Sequence, residues 1–321
     1  MTSLGLTANL QGNRAWWPPG ASFAIDFTTR QAMRNGVALP LWEAMSFTRA
    51  SMRLARTSAG RWQTFGVNEP AITDLGLSVE PARTNLVLAN TADSGPGLIL
   101  TDVTRTALAA GDSPALDNHG KRIVQGGGST AAFYFGSFAG LISAGSVHTI
   151  SACFKYDGGA RFLRFLISDN VSVVRQTWID LVDKTVGNVT AGSTATLTPL
   201  IDGWVHVALT TTPFPNTTGG GQFGVVAVEA MGNAIRTTGS YKIWGGQLEI
   251  DTNNSTSPIL TYGTGSSRSS DMVALLMPPG QQSLVLHMQD GTTRSAQTIG
   301  EGYSIPNDLR VSIMRCVSAA L

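Results

Sequence analysis

A chain of 321 residues and 33.8 kDa is long enough for one large or two ordinary domains, with a core that needs no disulfide or metal staple. Charged residues make up only 13% and the net charge is +1, which excludes the basic footprint that a nucleic-acid or anionic-membrane binder carries. Gly reaches 36 residues and Ser plus Thr about a fifth of the chain, a composition that argues against long surface helices laced with Glu and Lys.

The cations are 18 Arg against 4 Lys, which reads as a GC-rich coding sequence rather than a binding patch. Cys153 and Cys316 lie far apart and form neither a zinc nor a redox spacing. The four histidines, at 119, 148, 206 and 287, are not at metal-ligand spacing. Neither a G-x-S-x-G elbow nor a phosphate loop is present, since Gly120-Lys121 lacks the upstream glycine and the following Ser or Thr. No metal and no cofactor is therefore expected. The opening MTSLGLTANLQGNRAWW has no basic segment followed by an apolar one, and no window of 18 apolar residues occurs, so synthesis in a cytoplasm without membrane insertion is expected. The N-x-S/T triplets at Asn170, Asn188, Asn216 and Asn254 read as chance.

In chain order, residues 1–45 form an irregular arm punctuated by Trp16, Trp17, Pro18, Pro19, Pro40 and Trp42, with one or two helical turns expected around Gln31 to Val37. Such an arm packs either on another chain or on the main body. Residues 46–89 read as a connector. Residues 90–270 repeat short Val-, Ile-, Thr- and aromatic-rich stretches between Gly, Asn, Asp and Pro clusters, the pattern of an antiparallel sandwich. In HTISACFKY, Ile150, Ala152, Phe154 and Tyr156 oppose Thr149, Ser151 and Lys155. After Gly203, Val205, Val207 and Leu209 oppose Trp204, His206 and Ala208; in TWIDL, Trp178 and Asp180 oppose Ile179 and Leu181. In YKIWGGQLEI the period puts Trp244, Leu248 and Ile250 on the face opposite Tyr241, Gln247 and Glu249. Turns are marked by Gly126-Gly127-Gly128, Asp157-Gly158-Gly159, Asp202-Gly203 and Asn216 to Gly221. After a break at Gly263 to Ser270, residues 271–321 read as a small β unit of three strands, Met272 to Met277, Ser283 to Met288 and Arg310 to Val317. The expected fold is all-β: an antiparallel jelly-roll sandwich with an irregular N-terminal arm and a small C-terminal β unit.

Asp180, Asp202 and Glu249 are the carboxylates a glycosidase would need across a cleft, but in sequence they read as turn or solvent-facing groups. Glu80 and Arg83 sit in a local E-P-A-R phrase that suggests an ion pair. What remains is an aromatic-plus-polar set: Trp178 with Asp180, Trp204 with His206, and Tyr241 with Gln247 and Glu249. Aromatic rings stack on the C–H faces of sugars while acid, amide and imidazole groups bond their hydroxyls, so the set suits a carbohydrate. Two placements stay open, an exposed sugar-binding face or a second covered layer in which Trp178 and Trp204 are core.

Residues 46–88 run SFTRAS, VNEPAI and GLSVEPARTNLVL. The series Phe47, Thr48, Arg49, Ala50, Ser51, then Gly76, Leu77, Glu80, Ala82, Arg83, Thr84, Asn85, Leu86, resembles a module of head-spike and fibre proteins of tailed bacteriophages and gene transfer agents. The resemblance continues through Phe154-Lys155, Asp180-Leu181, Gly187-Asn188-Val189, Asp202-Gly203-Trp204, Ile243-Trp244-Gly245-Gly246-Gln247-Leu248-Glu249, Thr256-Ser257, Thr261, and Arg268 before Asp271. Met52 to Phe65 departs from the pattern, and Pro70-Ala71-Ile72 stands where the family has P-R-F.

The resemblance implies a carbohydrate-binding-module-like jelly roll on a virion surface, with Phe47, Arg49, Glu80, Arg83, Asn85 and Trp244 as structural motif residues. It implies a non-enzymatic subunit, a homo-oligomer (pentamer or trimer), that is assembled in the bacterial cytoplasm, joins other virion proteins through the arm, and binds bacterial capsular polysaccharide. A tail fibre, a capsule depolymerase and a purely structural decoration or adaptor protein are the competing expectations.

Overall fold

Period-two alternation dominates the middle of the chain, and there two six-stranded antiparallel sheets form. The computed structural model describes residues 16–88, 90, 98–138, 141–169, 173–215, 220–261 and 266–320. The first fifteen residues of the arm, Asn170, Asn216 with the start of its glycine turn, and Gly263 lie outside them.

The front sheet is ordered Val103–Ala107, Lys121–Gln125, Gly239–Ile250, His148–Tyr156, Trp204–Thr210, Thr194–Pro199. The back sheet is ordered Ile99–Thr101, Ala132–Phe138, Gly221–Val228, Phe162–Ser168, Val174–Asp180, Thr185–Gly187. Between them Ile150, Ala152, Phe154, Leu163, Phe165, Ile179, Val205, Val207, Leu209, Phe223 and Val225 form the largest core. The fold is all-β, a jelly-roll-like sandwich, and the alternation assigned to the strands at 148–156 and 204–210 holds for these inward residues.

The arm and the C-terminal unit are not two separate pieces. Phe23–Asp26 pairs with Ile313–Ala320, Phe23 opposite Ser318 and Asp26 opposite Arg315. With Gln31–Arg34, Val37–Leu39, Gln281–Met288 and Thr293–Ile299 they make one terminal sheet. Against it lies a three-stranded sheet, Tyr303–Ile305, Met272–Leu275 and Met45–Thr48, and Phe23, Ile25, Phe27, Leu77, Val273, Leu275, Leu284, Leu286 and Ile313 fill the space between. The boundaries expected at 45 and 271 thus fall inside one packing unit, because its pairings join residues almost a chain length apart.

The helix expected at Gln31 to Val37 is a hairpin instead. Asn35 (φ 50) and Gly36 (φ 79) occupy the two left-handed turn positions, and an Asn-Gly pair there outweighs the few apolar residues around it. Among the described residues the one short α-helix, Leu41–Ala44, follows Pro40.

Candidate functional site

Part of the outer face of each sheet is covered, and the predicted tryptophans hold these covers in place. Trp178, on the back sheet, is 5% exposed, and its indole N–H donates to the Asn233 carbonyl at 2.6 Å. Trp204 and Trp244, on the front sheet, are each 1% exposed. Their N–H groups donate to the Asp112 carbonyl at 3.0 Å and to Asp117 Oδ1 at 2.9 Å, which ties the 109–119 loop across the sheet. Trp178 and Trp204 therefore sit on different sheets with their rings buried, and of the two placements left open by the sequence the covered layer is the one that forms. Asp180 is also buried, where it accepts the Arg161 guanidinium (2.7 Å from Nη2) and the amides of Val182 and Asp183. Burial alone would raise its carboxyl, but these donors outweigh it and hold the group below the usual range.

Tyr241 points the other way, into the sandwich core, fully buried. Its strand changes parity at a bulge: Phe154 faces Ile243 and Cys153 faces Trp244, whereas Ser151 already faces Gln247. Gly245 supplies the left-handed φ of +67, so the inward set switches from Tyr241 and Ile243 to Leu248. Strict period-two counting across this strand fails for that reason. Gln247 and Glu249 do lie on the outer face, each 1% exposed beneath the 252–259 loop. Gln247 accepts the Ile259 amide at 2.6 Å, and Glu249 accepts the Thr256 amide at 3.0 Å and hydroxyl at 2.7 Å. Burial pushes the Glu249 carboxyl up, only partly offset by these bonds.

Of the motif residues, Arg49, Asn85 and Trp244 are buried, while Phe47, Glu80 and Arg83 are partly exposed. Asn85, 0% exposed, donates to the carbonyls of Gly246 (3.1 Å) and Ile259 (2.9 Å) and accepts the amides of Val87 (3.0 Å) and Leu248 (3.1 Å). It clamps the bulge to the loop. Arg49 reaches Asp271 Oδ1 at 3.0 Å and the carbonyls of Gly66 and Glu69. Arg53 pairs with the other Asp271 oxygen and with Glu80 at 3.3 Å, and Arg268 pairs with Glu80 at 2.9 Å. Glu80 is paired with these two guanidiniums and not with Arg83, as the local phrase suggested. Burial opposes its ionisation, but Arg268, Arg53 and the Ser257 hydrogen bonds prevail and hold its carboxyl at about 2.

Arg53 and Glu80 of this network line one wall of a cleft of about 480 Å³ between the front sheet, the Arg53–Arg56/Trp62–Phe65 hairpin, the 252–257 loop and the 308–312 segment of the terminal unit. Its floor is a ladder of hydroxyls. Thr194 faces Thr210, and Thr198 faces His206 across the strand pair, while Ala195 and Leu197 turn inward to the core. Arg56, Arg83 and Arg310 stand around the floor, and Trp62 packs edge-on to His206 at 5.9 Å between ring centres. Burial, with the Arg56 charge as a second cause, pulls the His206 imidazole down to about 4.

No family model matches the chain, and no curated protein does. Solved structures similar to it include the following two. The CBM22-1 xylan-binding domain of Paenibacillus barcinonensis Xyn10C has 11% identity and a TM-score of 0.35, covering 55% of this chain and 99% of that one. The CBM22-1–GH10 modules of Clostridium thermocellum xylanase 10B, complexed with xylohexaose, have 12% identity and a TM-score of 0.31, covering 57% of this chain and 30% of that one.

Of the seven residues expected to bind sugar, only His206 lines the cleft. The signal for its floor was present in the alternation of Thr194, Thr196 and Thr198, which composition alone absorbed as general Ser and Thr richness. The arginines come from three distant segments, and no local pattern joins them. Among the described residues, no group of three or more His, Cys, Asp or Glu converges to hold a metal.

A neutral imidazole in the fold and an ordinary one in the unfolded chain give a definite pH dependence. The unfolded state binds the extra proton between about 6.5 and 4, so the stability His206 contributes is complete above about 6.5 and lost as pH falls toward 4. His206→Gln is expected to remove roughly 1–3 kcal/mol of that loss. Thermal melts of both proteins at pH 7.5, 6, 5 and 4 check it, and parallel curves would remove His206 as the cause.

Proposed function

We propose that the chain is a virion surface subunit, a head spike or fibre, that attaches the particle to host cell-surface polysaccharide through the cleft. The observation that carries this reading is the open groove floored by aligned threonine hydroxyls and walled by guanidinium, imidazole and Trp62. Such a lining offers donors and acceptors to sugar hydroxyls and an apolar edge to their C–H faces. The ordered series from Phe47 to Asp271, similar to spike and fibre proteins, supports the virion setting. The carboxylates weighed for hydrolysis do not form a pair: Asp180 closes a turn on the back sheet, and Glu249 is enclosed on the front sheet.

The subunit works by multivalent adhesion. A millimolar site contributes only about 4 kcal/mol, and several copies raise avidity by about two to four orders of magnitude. A trimer or a pentamer supplies those copies, and the mass of the native oligomer distinguishes them.

Purified full-length protein is expected to sediment with encapsulated cells and to stay in solution with capsule-deficient cells. Thr196→Val together with Thr198→Val should weaken that binding about tenfold, because each lost hydroxyl bond contributes about 0.5–1.5 kcal/mol, with an unchanged melting temperature. Equal sedimentation with both cell types, or full binding by the double variant, would overturn the assignment of this cleft.

A further inference from the structure

The cleft carries an imbalance of charge that a chain of net charge +1 does not lead one to expect. Beneath its wall, three buried guanidiniums, Arg49, Arg53 and Arg268, meet only two carboxylates, Asp271 and Glu80. Among the described residues, Arg56 has no carboxylate partner, though it is half-buried, opposite Trp62 in the hairpin and near enough to His206 for its charge to act on the imidazole. Arg83 uses Nη1 on the Ala82 carbonyl at 3.1 Å, while its Nε is buried without a hydrogen-bond partner. With its amide turned to present the oxygen, Asn254 accepts from Arg310 Nε at 3.1 Å and Nη1 at 3.0 Å, a neutral partner that leaves the Arg310 charge unneutralised. Asp308 is the one further acid on the lining.

We propose that the cleft selects an acidic glycan, a polysaccharide whose sugars carry carboxylate groups, with Arg56 as the inner anchor and Arg83 and Arg310 at the rim. The threonine floor then binds the ring hydroxyls, and the guanidinium forks receive the carboxylates, for which their planar donor geometry is suited. A neutral glycan would leave half-buried cations facing sugar hydroxyls, which bind a guanidinium more weakly than a carboxylate does. This inference rests on the glycan-binding reading and adds the class of sugar to it.

The test is a calorimetric titration of the full-length protein with alginate, polygalacturonate, hyaluronan and polysialic acid, each beside its carboxyl-reduced form, with dextran sulfate as the competing anion. At least one carboxylated polymer is expected to bind about tenfold or more tightly than its reduced partner, more tightly than dextran sulfate, and less tightly as salt rises. Arg56→Gln should bring the acid form down to the affinity of the reduced one. Arg310→Gln, on the exposed rim, should lower the preference severalfold without a change in melting temperature, so a folding defect in the first variant does not decide the matter. Equal affinity for acid and reduced forms would overturn the acidic class while leaving glycan binding intact. Binding of dextran sulfate as tight as any carboxylated polymer would overturn carboxylate selection in favour of general anion attraction. Absence of binding across the whole panel, alongside retained sedimentation with encapsulated cells, would also overturn the acidic class; absence of both would bring down the glycan reading itself.

Discussion

Asp271→Asn is expected to lower the unfolding free energy by about 3–5 kcal/mol, the cost of breaking a buried ion pair from one side. The Asp271 carboxylate, with its side chain 1% exposed, lies between Arg49 and Arg53 and also accepts the Glu80 amide at 2.8 Å. An asparagine of the same shape would turn an N–H toward groups that are themselves donors. It would also leave three buried guanidiniums facing Glu80 alone. The loss should appear as a large drop in melting temperature for the whole chain, because these residues join the 46–85 segment to the point where the chain leaves the sandwich. Arg53→Met combined with Asp271→Leu should be less damaging than the sum of its two single changes, since the charges of that pair are removed together and only Arg49 is left without its carboxylate. A melt of Asp271→Asn within a degree or two of the parent would show that the cluster does not hold the segments together.

Asn85→Ala is the second large effect, also expected at about 3–5 kcal/mol. One side chain serves four backbone groups, and its removal leaves the carbonyls of Gly246 and Ile259 and the amides of Val87 and Leu248 buried without partners. Each orphaned group costs about 1–3 kcal/mol, tempered by relaxation around the bulge. The melting temperature should fall by about 6–12 °C. Hydrogen exchange at the Leu248 amide should accelerate more than at the Ile150 amide on the neighbouring strand. Asn85→Asp keeps the acceptor oxygen but loses both donors and buries a charge, so it should do no better than alanine. A mild loss in either variant would mean that Gly245 holds the bulge without the clamp.

The parts of the fold governed by local rules were legible. Ile150, Ala152, Phe154, Val205, Val207 and Leu209 face the core because nothing interrupts their alternation. The rule broke at Gly245, where one bulge residue reversed the orientation of Tyr241 relative to Gln247 and Glu249. The arm was misjudged because Phe23–Asp26 finds its partner in Ile313–Ala320, a pairing that no nearby residue signals. Covering of the outer faces was equally hidden, since Trp178 and Trp204 read the same whether their rings meet sugar or a loop that their own N–H groups hold down. The site was least legible because its floor comes from one strand pair and its guanidiniums from three separate segments.

The pairing of the terminal sheet also sets an order in time. Ser22 and Ser318, which bond through side chain and backbone, are 296 residues apart, whereas the strands of the sandwich all lie between Ile99 and Ile250. During synthesis the sandwich can therefore close while the hairpin bearing Phe23 and Ile25 still waits for its central partner strand, with that apolar face open to misassembly. Emergence of the Ile313–Ala320 strand from the ribosome becomes the step that completes the terminal unit. The cleft, which borrows its 308–312 wall from that unit, is then assembled last, and a nascent or truncated chain would not carry a finished cleft.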